Sequence, residues 1–103
     1  MVILMVEFKK KTRTQMLPIG YRLGDDEVHV RYHPVKGEWI STASVEEDDK
    51  ITIYTLYRQS KNVYQVYSQC NSTLKGSNKI SYTVSGPLKA ETVRKKYPML
   101  KVE

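Results

Sequence analysis

Residues 51–69 read ITIYTLY, RQSKN, VYQVYSQ: two runs rich in β-branched and aromatic residues, joined by the polar stretch Arg58 to Asn62. Such runs favour extended backbone, and a five-residue connection is within hairpin range. Pairing Tyr57 with Val63 gives a trial register. One face then holds Ile51, Ile53, Thr55, Tyr57, Val63, Gln65 and Tyr67, and the other Thr52, Tyr54, Leu56, Tyr64, Val66 and Ser68. An antiparallel pair wetted on one side alternates cleanly between apolar and polar residues. Here both faces are partly apolar, so the hairpin is either central and covered twice or shows aromatic surface to a partner.

Working outward, further extended runs are expected at Val2 to Phe8, Met16 to Leu23, Glu27 to His33, Glu38 to Thr42 and Lys79 to Ser85. Turn chemistry separates them at Gly24 to Asp26, Pro34 to Gly37 and Gly76 to Asn78. Ala90, Val93 and Tyr97 change the period to that of a helix, with Pro87 placed at its first turn and Pro98 ending it. The chain is therefore expected to be mainly β, a small antiparallel sheet or partly open barrel of five to seven strands with one short C-terminal helix. An α+β sheet with the helix on one face is the rival. With 103 residues and no fixed-period repeat, one domain spanning 1–103 is expected.

The apolar opening run ends at Phe8, far short of the roughly twenty residues of a membrane helix, and lacks the basic start of a secretory signal. A first strand is the simpler reading, with no membrane partner. The single cysteine, Cys70, cannot form an intramolecular disulfide, which points to a reducing, cytoplasmic setting. Half-buried structural cysteine is its expected role, since no nucleophile motif surrounds it. Trp39 is expected to anchor the core.

Charge divides the chain. Residues 50–103 carry ten Lys or Arg against Glu91 and Glu103, whereas residues 1–49 are slightly acidic; the overall formal charge is +6. Six of the eight tyrosines also lie in the basic half. Cations beside aromatic rings suit a polyanion with stackable bases. The candidate phosphate contacts are Arg94, Lys95 and Lys96 in the helix and Lys9, Lys10 and Lys11 after the first run, with Arg13, Arg58 and Lys61 as secondary candidates. Tyr54, Tyr64 and Tyr67 are the candidate stacking residues. Each basic group also has an ordinary explanation: cations in a last helical turn offset the helix dipole, and a Lys run can simply form an exposed tip. Acidic blocks at Asp25 to Glu27 and Glu46 to Asp49 argue against nucleic acid covering the whole surface.

His29, Arg31 and His33 alternate with Val28, Val30 and Tyr32, so a strand places the three on one face. The histidines are then about 13 Å apart, too far for one metal or one acid–base centre, and a solvent face is the better reading. No catalytic residue, metal site or cofactor is expected: no phosphate-binding glycine loop, paired zinc-ligand spacing or calcium-loop pattern occurs. The expected function is non-enzymatic binding of RNA or single-stranded DNA, as a nucleic-acid-binding or ribonucleoprotein accessory protein. The rival is a protein-interaction module, an adaptor, assembly subunit or inhibitor, with an aromatic interface.

Overall fold

The computed structural model describes residues 13–24, 27–74 and 77–102. Five strands, β1 (Arg13–Leu23), β2 (Glu27–Glu47), β3 (Lys50–Ser60), β4 (Val63–Leu74) and β5 (Ser77–Val84), are followed by one short helix, α1 (Ala90–Lys96). Each strand pairs antiparallel with the next, and β5 pairs back onto β1, so the sheet closes into a ring. The expected run Val2 to Phe8 lies outside the described residues.

Closing a ring through five antiparallel contacts is impossible with straight strands, because five reversals return the first strand pointing against itself. β2 resolves this by bending. Its first half pairs with β1 as far as Gly37, and its second half, from Glu38, pairs with β3. Twenty-one residues in a straight strand would span roughly 66 Å at about 3.3 Å each. The longest dimension of the fold is only 42 Å. The bend coincides with Gly37, at φ +136°, and with a register shift between Trp39 and Ser41. The expected break at Pro34 to Gly37 is therefore a bend within one strand: its glycine redirects the chain while pairing continues on both sides.

The β3–β4 hairpin forms with Tyr57 opposite Gln65, two residues from the trial register. A shift of two keeps every side chain on its expected face. The loop tightens to Lys61 and Asn62, because Ser60 pairs with Val63 across a bulge and Asn62 takes the left-handed conformation (φ +57°) that asparagine tolerates.

The hairpin is covered on both faces. Inside the ring, Tyr57 and Tyr67 pack with Val35, supported by Leu17, Tyr82 and Val84. On the outer face, Leu56, Tyr64 and Val66 are buried with Val93 of α1 and with Leu100 and Val102 of the tail. Ala90 and Tyr97 join this second cluster, as helical spacing requires. The helix begins at Ala90, later than the proline suggested. Leu88 is first used as a strand residue, exchanging two backbone hydrogen bonds of 2.8 Å with Tyr64. Asn62 then accepts the Ala90 N–H at 2.9 Å, so the β3–β4 turn caps the helix from a distance. Ser41 Oγ donates to the Lys101 carbonyl at 2.8 Å and pins the tail to β2.

Candidate nucleic-acid interface

The tyrosines expected to stack on bases are occupied in the fold. Tyr64 is 6 % and Tyr67 8 % exposed. Tyr67 Oη donates to the Pro18 carbonyl at 2.6 Å. Tyr54 is half-buried, its ring 5.5 Å from that of Tyr97. Alternation places these residues correctly by face, but the helix and the ring closure cover both faces, so Tyr64 and Tyr67 are excluded as stacking platforms. Burial also raises the Tyr57 hydroxyl pKa. That of Tyr67 is pushed up to about 12, first by burial and then by the neighbouring Tyr82, Tyr57 and Tyr32. Both phenols remain neutral at physiological pH.

The expected cations separate into distinct settings. Lys9, Lys10 and Lys11 lie outside the described residues. Arg13 begins β1, in register with Gly37. Arg58 donates from Nη2 to Glu38 Oε1 at 2.6 Å, so its charge is already compensated by a half-buried carboxylate. Lys61 is exposed at the β3–β4 turn, and Arg94, Lys95 and Lys96 are exposed in the last turn of α1. The Asn62–Ala90 bond draws the Lys61 turn to the start of the same helix.

A different row joins aromatic and cationic groups. In the β5–β1–β2 part of the sheet, Tyr21 lies opposite His29 and Ser81, and Leu23 lies opposite Lys79. By alternation, Lys79, Tyr21, His29 and Arg31 therefore project from one face, and His33 follows them at the end where Leu17, its cross-strand partner, packs against the interior cluster. Side-chain geometry agrees: the His29 and Tyr21 rings are 4.9 Å apart at 30°, and Lys79 Nζ lies 5.4 Å from the centre of the Tyr21 ring. Lys79, Tyr21, His29, Arg31 and His33 are all exposed. The cationic contact holds positive charge beside the ring, and among the described residues Lys79 makes no ion pair. Glu46 to Asp49 occupy the β2–β3 turn, where Glu47 pairs with Lys50 at 3.6 Å. Lys50 is opposite Ser72, which is opposite Lys79, so two strand spacings, about 10 Å, separate Lys50 from the end of the row. From Lys79 the row runs across β1 to β2, away from that turn.

The alternation of His29, Arg31 and His33 was legible in the sequence; the cross-strand approach of Tyr21 and Lys79 to them was not. Trp39 reverses expectation: it is 54 % exposed, its indole N–H bound to Thr42 Oγ1 at 3.1 Å. It sits at the bulge of β2, while Val35 takes the interior position. Cys70 is half-buried in β4. Among the described residues no three His, Cys, Asp or Glu converge as a metal site, and no helix is long and apolar enough to cross a membrane.

Fold and surface thus define a closed five-stranded β-ring with an aromatic–cationic strand face. No known protein-family model, curated protein or solved structure matches the chain.

Proposed function

We propose that the protein is a non-enzymatic nucleic-acid-binding or ribonucleoprotein accessory protein that engages single-stranded RNA or DNA in the cell interior. The observation that carries this reading is the exposed row Lys79, Tyr21, His29, Arg31 and His33. Tyr21 and His29 provide ring faces for bases, while Arg31 and Lys79 meet phosphates. Arg94, Lys95, Lys96 and Lys61 add a second positive surface that lengthens the electrostatic footprint. Single strands fit best because their unstacked bases can reach flat rings on a sheet.

The test is fluorescence anisotropy with labelled single-stranded RNA, single-stranded DNA and duplex, titrated from low salt to about 150 mM. Binding should persist at the higher salt and favour a single strand. Tyr21→Ala should weaken it by about 1 to 3 kcal/mol. The double variant Arg31→Glu, Lys79→Glu should weaken it further while leaving the circular dichroism spectrum intact. Salt-labile binding without preference, or indifference to the double variant, would reduce the row to non-specific attraction.

Exposure of Trp39 and of Tyr32, at 54 % and 64 %, favours a second reading as a protein-interaction module, since large aromatics in contact with water are typical interface anchors. In that case Trp39→Ala, and not charge reversal on the row, removes the partner recovered by crosslinking in cells.

A further inference from the structure

The opposite face of the β1–β2 ribbon holds a cavity of about 340 Å³ lined by Pro18, Arg22, Val28, Val30, Tyr32 and Tyr82. Pro18 and Tyr32, Arg22 and Val28 are directly opposed pairs, and Tyr82 joins them through its pairing with Gly20. The cavity faces away from the row that carries Tyr21 and His29. Tyr82 also packs against the interior cluster of Val35, Tyr57 and Tyr67, so one wall of the cavity is held by the core of the ring. Gly20 lies between these walls at φ +129°, and a Cβ there would collide with the His29 carbonyl oxygen. The close approach of the two backbones therefore requires glycine at this point.

The chemistry of the lining is specific. Three walls are aliphatic, two are phenolic and one carries a guanidinium. Arg22 is exposed and makes no ion pair among the described residues. At roughly 30 Å³ per water-sized group, the cavity holds about eleven such groups. It falls at the small end of ligand sites. We propose that this cavity binds a small aromatic carboxylate, with its ring between Tyr32 and Tyr82 and its carboxylate paired with Arg22. Arginine meets a carboxylate through two parallel N–H donors. The site is independent of the nucleic-acid row, which uses other residues.

The experiment is a two-dimensional amide NMR titration of the full chain with indole-3-acetate and, separately, its neutral analogue indole-3-acetamide. The acid should give saturable shifts centred on Arg22, Val28 to Tyr32 and Tyr82, with a Kd of about 1 mM or tighter. The amide should bind about tenfold more weakly, and Arg22→Gln should erase that difference. Val28→Trp, at a half-exposed position that tolerates bulk, should fill the mouth and abolish the shifts with the remaining spectrum unchanged. Absence of saturable shifts, or equal binding of acid and amide, overturns the proposal. So would shifts of the same residues on raising protein concentration alone, because a second copy would then cover the cavity.

Discussion

Tyr67 shows how one residue changes meaning between sequence and fold. In the sequence it is an aromatic in a basic half; in the structure its hydroxyl is tied to Pro18 and its pKa is pushed up to about 12. In the unfolded chain it ionises near 10, so between about pH 10 and about 12 unfolding releases a proton. Stability is therefore unaffected by this group below pH 10 and falls as pH climbs toward 12. Chemical denaturation across that range should show the fall, made shallower by Tyr67→Phe. At neutral pH the same variant should cost about 1 kcal/mol for the lost hydrogen bond. Gly37 is the second decisive residue. A Cβ there would stand 2.6 Å from the Arg58 carbonyl oxygen at a φ of +136°, so Gly37→Ala should destabilise the fold by about 1 to 3 kcal/mol or more in urea titration. A lone glycine after Pro34 reads as a turn because sequence does not show what its backbone approaches.

Among the elements, α1 depends most on residues distant in sequence. It has seven residues, too few to be stable alone, and Lys89 at its N-cap supplies no side-chain hydrogen bond. Asn62 supplies the acceptor, and it also holds the positive φ of its turn. Asn62→Gly keeps the turn and loses the cap, at about 1 kcal/mol; Asn62→Ala should cost more by adding backbone strain. Thermal denaturation of the two variants separates the effects. The helix period was visible in Ala90, Val93 and Tyr97, and all three pack where that period places them. The tail was not visible, because Leu100 and Val102 follow Pro98 with no period to read. Their burial nevertheless makes them core residues: Leu100→Ala should cost about 2 to 5 kcal/mol, checked by the same denaturation.

For the whole molecule, closure of β5 onto β1 joins segments some sixty residues apart, so folding must close a long loop before that pairing is rewarded. Refolding after rapid dilution from urea should accordingly take milliseconds to seconds. Charge reversal at Arg31 and Lys79 should also flatten the salt dependence of single-strand binding, by about 0.7 in logarithmic slope for each phosphate that is no longer neutralised. The residue types alone determined a mainly β chain, the central hairpin with its two faces, and a short helix before Pro98, because side-chain periodicity and turn chemistry are local properties. Tertiary structure decided what covers each of those faces. The bend of β2, closure of the ring and docking of α1 bury Tyr64 and Tyr67, expose Trp39, and bring Tyr21, His29 and Lys79 together across three strands. These outcomes rest on backbone approaches between residues far apart in the chain, which no local pattern of side chains encodes.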